Sequence, residues 1–284
     1  MARIVVFGEI LWDCLPSGPR LGGAPLNVAA NLSLLDNEVI LVSAVGKDDF
    51  GDKALEMLRE YHVNTEFVGR SDYPTGTVEV SLDEEGDASY SFTPDCAWHN
   101  IGGTMGSRRL PEGDALLYGS LANHYERNWQ WFEEQLRSFN GVTICDINLR
   151  EPWDLNCARI VSRSAQLLKC NESEFEALTG IKPNPDNQDL LATVRKKDPS
   201  FPEQLCVTFG KEGAIYISEK NEIFQGSTKS VEVVDSIGAG DAFLAGLVDQ
   251  LVQGEGCLPI NFLDRCCAMG AEAATRSGAL PELS

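Results

Sequence analysis

The sequence predicts an α/β protein built on a mostly parallel central sheet with helices on both faces. Three observations carry that reading. Strand-like and helix-like stretches alternate for nearly the whole length, as they do when helices cross over between parallel strands. Glycine-rich and polar motifs fall just after the strand-like runs, where ligands collect in such folds. The chain has 284 residues, 43% hydrophobic and 23% charged, which suits one unit with a sizeable core, and residues 1–284 are read as a single domain.

Residues 3–7 are an apolar run that reads as a buried strand ending at Gly8-Glu9. Helical periodicity follows over 27–35, with an apolar stripe at Leu26, Ala29, Ala30 and Leu34 and with Pro25 suited to an early helical position. A strand at 38–44 and a helix at 51–61 come next. Apolar or β-branched runs at 115–118, 142–146, 166–169, 205–208 and 214–218 then alternate with helical stretches at 126–139, 172–179 and 189–197. Residues 231–234 read as a further strand and 241–252 as the helix after it.

One stretch departs from this order. Residues 77–82 and 88–92 alternate in polarity around Asp83-Glu84-Glu85-Gly86-Asp87, which is a hairpin signal. By itself it fits an edge hairpin of the main sheet. The sequence has no internal repeat, low-complexity tract or linker, and the proline-bearing loop 181–187 is too short to divide domains.

The most informative segment is Asp235-Ser236-Ile237-Gly238-Ala239-Gly240-Asp241, where a helix begins. Its glycines let backbone approach a charged group, and the free N–H groups and dipole of a starting helix favour an anion. Two readings of Asp241 remain open: a base that accepts the proton of an attacking hydroxyl, or a carboxylate that sits favourably in a first helical turn. A second cluster, Gly22-Gly23-Ala24-Pro25-Leu26-Asn27, also turns backbone towards a ligand, and Asp13 lies shortly before it.

These two segments, in this order and about 210 residues apart, resemble the PfkB (ribokinase-like) carbohydrate kinases. Gly22, Gly23 and Asn27 match the family's amino-terminal pattern, and residues 235–246 match its carboxy-terminal one. The resemblance covers essentially the whole chain and is nearest to fructokinases. It implies a small β-sheet lid over the sugar, with strands near 11–20 and 75–95. It also implies ATP as phosphoryl donor, Mg²⁺ as cofactor and, as in many members, K⁺ or another monovalent cation beside Asp235.

The resemblance assigns further residues. Asp13, Gly22, Gly23 and Asn27 would hold the sugar, Asp241 would be the base, and Gly238, Ala239 and Gly240 would form the anion hole. Asp146-Ile147-Asn148-Leu149-Arg150 resembles the family's Asp-x-Asn-x-Arg pattern, with Arg150 on the transferring phosphoryl oxygens; an ion pair with Glu151 or Asp154 is the alternative. Asn171 and Glu174 fit its Asn-x-x-Glu motif, with Glu174 near Mg²⁺, through water, although helix capping alone accounts for the pair. Thr208 and Gly210 would lie along the nucleotide, and the bare reading is a glycine turn with an exposed Lys211. Thr208-Phe209-Gly210-Lys211-Glu212-Gly213 is not a Walker A sequence, and Gly238-Ala239-Gly240-Asp241 is not a dinucleotide fingerprint. Two departures stand out: Ser236 replaces the commoner threonine, and His99 follows Ala97-Trp98 where some fructokinase-like members have aspartate.

The net charge of −20 argues against nucleic-acid or anionic-membrane partners, and small-molecule sugar and ATP are the expected ones. Nine cysteines scattered through apolar segments without a Cys-x-x-Cys point to a reducing compartment. Cys145, Cys170, Cys206, Cys266 and Cys267 read as core filling, and His62, His99 and His124 have no metal-ligand spacing. The short apolar start fits neither a signal peptide nor a membrane span, so a cytoplasmic protein is expected. An exposed lid edge offers a route to a homodimer. The expected function is ATP-dependent phosphorylation of a small sugar, fructose first. The alternatives are 2-keto-3-deoxygluconate, ribose or a nucleoside as acceptor, or a silent sugar-binding protein.

Overall fold

The computed structural model describes residues 1–15, 17–82, 88–149, 155–187, 189–254 and 258–283. The chain opens with β1 (Arg3–Phe7), β2 (Leu11–Leu15), β3 (Gly18–Gly22), α1 (Ala24–Leu34), β4 (Glu38–Gly46), α2 (Asp49–Glu60) and β5 (Val68–Ser71). It continues with β6 (Gly76–Leu82), β7 (Ala88–Phe92), α3 (Ile101–Met105), β8 (Ala115–Gly119), α4 (Ser120–Asn123), α5 (Glu126–Leu136) and β9 (Val142–Asp146). The remaining elements are α6 (Leu155–Arg163), β10 (Leu167–Asn171), α7 (Glu172–Thr179), α8 (Leu190–Lys197), β11 (Gln204–Thr208), β12 (Ala214–Ile217), β13 (Ile223–Gly226), α9 (Ala239–Gln253) and α10 (Phe262–Ala273).

Nine strands form the main sheet in the order β13-β12-β11-β10-β9-β8-β1-β4-β5. Neighbours from β5 to β11 are parallel, and β12 and β13 close that edge antiparallel. Alternation along β1 explains the two cores. Ile4 and Val6 face α1, α2, α9 and α10, whereas Val5 and Phe7 face α3 and α5 to α8. Strands buried on both faces appear in sequence as continuous apolar runs, which is why they were readable. Because β1 pairs with β4 on one side and β8 on the other, the connections diverge there and leave a crevice at the carboxyl ends of the strands.

The hairpin belongs to a second sheet, ordered β3-β2-β6-β7, and not to the main one. Its turn at 83–87 lies outside the described residues. The root of β6 is fixed by Asp48, whose carboxylate accepts the Thr75 N–H at 2.7 Å and the Thr75 hydroxyl at 2.6 Å. Trp12 ties β2 to α2 by donating its ring N–H to the Phe50 carbonyl at 3.1 Å.

Residues 231–234 are not a strand. Val233 and Val234 are 62% and 64% exposed, and the N–H groups of Val234 and Asp235 meet the Ala274 carbonyl at the end of α10. Their β-branched composition signals propensity, but no neighbouring strand is available to pair with them. Two short strands escaped the sequence reading for the opposite reason: β5 (Val-Gly-Arg-Ser) and β13 (Ile-Phe-Gln-Gly) have partners but no apolar run.

Candidate active site

Two helix starts meet at the carboxyl edge of the main sheet. Gly23, before α1, has φ +114°, and a Cβ there would lie 2.5 Å from the Glu9 carbonyl oxygen. Gly238, before α9, has φ +81°, and its Cβ would lie 2.6 Å from Ala279 Cα. Both positions therefore need glycine, for conformation and for space. Packing of α1 on α9 brings Asn27 Nδ2 to 2.8 Å from Asp241 Oδ2. Asn27 is buried, and its Oδ1 has no protein partner among the described residues. A buried acceptor left unpaired is costly, and a ligand hydroxyl would satisfy it.

Asp13 joins this group from the small sheet. Its Oδ2 lies where a Cβ on Gly22 would come within 2.7 Å, so the glycine pair leaves room for the carboxylate. Asp13, Gly22, Gly23, Asn27 and Asp241 are thus gathered at the junction of the two sheets.

Beneath the start of α9 is a buried ionic cluster. Register pairs Lys169 on β10 with Asp146 on β9, and Lys169 Nζ donates to Asp146 Oδ1 at 3.0 Å, both residues 7% exposed. Burial alone would lower the lysine pKa, but the carboxylates of Asp146, Glu174 and Asp241 outweigh it and hold the ammonium above its ordinary range. A Cβ added to Gly240 would stand 3.6 Å from Lys169 Nζ, so a full positive charge underlies the turn formed by Gly238, Ala239 and Gly240. The expected anion site therefore combines a helix start with a buried cation.

Asn171 and Glu174 form the capping box. The Asn171 side chain accepts from the Glu174 N–H at 2.9 Å, and Glu174 Oε2 accepts from the Asn171 N–H at 2.8 Å. Glu174 Oε1 accepts the Leu149 N–H at 2.8 Å, so the carboxylate also holds the segment after β9. Burial pushes the Glu174 pKa up, and Asp146 adds to this against the hydrogen bonds. Among the described residues no cluster of three His, Cys, Asp or Glu side chains is arranged to hold a metal ion. Arg150 lies outside the described residues.

Thr208 ends β11 beside Asn171 on β10. Gly210 follows with φ +57°, and its carbonyl accepts the Thr228 hydroxyl at 3.3 Å. Asp235 braces the anion turn, accepting the Ile237 N–H at 3.0 Å and the Gly278 N–H at 3.1 Å. His99 accepts the Cys96 N–H through Nδ1 and stacks on Tyr125 at 3.8 Å. The cysteines expected in the core are there, Cys145, Cys170, Cys206 and Cys266 at 0% and Cys267 at 4% exposure. No described helix is long and apolar enough to cross a membrane.

Lys169 is the candidate site residue that the sequence reading missed. Its signal was a charged side chain inside Leu167-Leu168-Lys169-Cys170, since lysine enters a doubly covered strand only with a partner.

A large mostly parallel sheet, a second small sheet and glycine turns at their junction define the ribokinase-like α/β class. Residues 18–281 match the pfkB family carbohydrate kinase profile, and the chain belongs to that family of ATP-using sugar kinases. A fructokinase from Escherichia coli is 28% identical over 304 residues, covering 99% of this chain and 96% of that protein. Probable fructokinase-3 of Arabidopsis thaliana is 29% identical over 314 residues, covering 99% and 88%. The crystal structure of fructokinase from Vibrio cholerae O395 bound to fructose, ADP and calcium superposes with a TM-score of 0.81 at 25% identity, covering 99% and 95%.

Proposed function

We propose that the protein transfers the γ-phosphoryl group of ATP to a hydroxyl of a small neutral sugar, with fructose as the best candidate. The observation that carries this reading is the Asn27–Asp241 hydrogen bond at the mouth of the anion turn. It places one candidate sugar ligand beside one candidate base, next to backbone N–H groups and a buried ammonium.

The sugar would bind among Asp13, Gly22, Gly23 and Asn27, with β2, β3, β6 and β7 as its lid. Asp241 accepts the proton of the attacking hydroxyl as the sugar oxygen bonds to phosphorus and the bond to the departing ADP oxygen breaks. Gly238, Ala239 and Gly240 present N–H groups to the charge that develops, and Lys169 adds a fixed cation. Arg150 would contribute a guanidinium from the segment after β9. Glu174, whose two oxygens accept the Leu149 and Asn171 N–H groups, would meet Mg²⁺ only through water, and Mg²⁺ would supply charge neutralisation there. Asn171, Thr208 and Gly210 line the nucleotide side, and Asp235 is the candidate for a monovalent-cation site.

A neutral acceptor is favoured by charge. Residues 74–100 contain no lysine or arginine and carry six carboxylates, at Glu79, Asp83, Glu84, Glu85, Asp87 and Asp95. Arg20, a cation near the glycine pair, is engaged with Ser277 Oγ at 2.8 Å. The test is kcat/KM for fructose, glucose, ribose, adenosine and 2-keto-3-deoxygluconate at one ATP and Mg²⁺ concentration. Fructose should lead. An acid sugar preferred tenfold, about 1.4 kcal/mol of transition-state preference, would reject fructose and keep the kinase, whereas binding without turnover would favour a silent sugar-binding protein.

A further inference from the structure

Arg20 stands on β3 directly across from Asp13 on β2, so the two side chains share one face of the small sheet. Arg20 Nη1 donates to Ser277 Oγ at 2.8 Å, in the segment that follows α10. The next residue, Gly278, turns with φ +93°, and a Cβ on it would stand 3.6 Å from the same guanidinium nitrogen. The Gly278 N–H is the group that donates to Asp235 Oδ2, while Asp235 Oδ1 accepts the Ile237 N–H. One residue further on, Ala279 packs against Gly238 so closely that the glycine admits no side chain. A single lid side chain therefore ends on a three-residue segment that touches the anion turn at both Asp235 and Gly238.

We infer that Arg20 is a positioning residue that couples the sheet over the sugar to the turn that receives the phosphates, acting through Ser277. The inference rests on the sugar-kinase reading above. Sugar bound against Asp13 fixes the small sheet, Arg20 then holds Ser277, and the 277–279 segment holds Asp235 and Gly238 in the geometry that binds phosphate. Sugar and nucleotide should in consequence strengthen each other's binding, since coupling between sites is reciprocal.

The test is a double-mutant cycle on Arg20→Ala and Ser277→Ala. Both residues are exposed, so both variants should fold, which a thermal melt verifies. Calorimetry gives the affinity for a non-hydrolysable ATP analogue with and without saturating fructose, or whichever sugar the panel identifies. Sugar should tighten nucleotide binding in the wild-type protein by about fivefold or more. Each single variant should lose most of that gain while keeping its affinity for nucleotide alone, and the double variant should lose no more. Hydrogen exchange at Gly278 and Ile237 should slow on sugar binding in the wild-type protein and not in either variant. Unchanged coupling in the single variants, or losses that add, would overturn the role of Arg20. A wild-type protein that phosphorylates a sugar but shows no coupling overturns this inference alone. One that phosphorylates no sugar overturns the proposed function, and the inference with it.

Discussion

Asn27 and Asp241, 214 residues apart in the chain, are joined by a 2.8 Å hydrogen bond in which the amide donates to the carboxylate. An ionised carboxylate only accepts, so the amide nitrogen must face it and the amide oxygen is left for another donor. The proposed proton acceptor and the proposed sugar ligand are thereby held in register with each other.

Asp241→Asn preserves shape and leaves an acceptor for Asn27 but removes the base. The expected result is a Tm close to wild type and a kcat lower by roughly 10²–10⁴. Turnover with saturating sugar and ATP checks this, and near-normal rates would remove Asp241 from the chemistry.

Gly240→Val tests the anion turn. The added Cβ would meet Lys169 Nζ at 3.6 Å, an ordinary contact, so the fold should hold while the branched side chain covers the ammonium. Nucleotide affinity should fall about tenfold or more, 1.4 kcal/mol, with sugar affinity little changed. Separate calorimetric titrations decide, and an equal loss of both would point to misfolding.

Lys169→Met leaves Asp146 and Glu174 without their buried cation. It should cost about 3–5 kcal/mol of stability and lower kcat by about 10² or more. Adding Asp146→Asn should recover part of the stability without the rate. Recovery of both together would make Lys169 a structural residue only.

His99 gives a pH signature. Burial lowers its pKa from 6.5 to about 4, with Asp95 raising it and His124 lowering it further. Between those values the unfolded chain binds a proton that the folded chain does not, so stability falls as pH drops from 6.5 towards 4. Melts at pH 7.5 and 5.0 should show a larger decrease for wild type than for His99→Gln, and equal decreases would remove His99 as the source.

Much of this was legible in advance because parallel strands buried on both faces leave apolar runs, and because Gly22, Gly23, Gly238 and Gly240 mark helix starts. Other features depended on tertiary partners. The Asn27–Asp241 bond is set by packing of α1 on α9, which no local pattern encodes. Lys169 acquired meaning only when the β9–β10 register placed it opposite Asp146. Conversely, residues 231–234 looked like a strand because propensity carries no information about whether a neighbour exists. The capping box at Asn171 and Glu174 was visible as a pair, but the grip of Glu174 on Leu149 was not.

The contact between α1 and α9 also bears on how the protein is made. A nascent chain that has passed Gly226 already contains every described strand of both sheets, together with Gly23 and Asn27. It has no anion turn and no Asp241. Such a chain also lacks α9 and α10, whose Phe243, Leu244, Phe262 and Leu263 cover one face of the main sheet, so that face stays open to water or a chaperone until both helices have emerged.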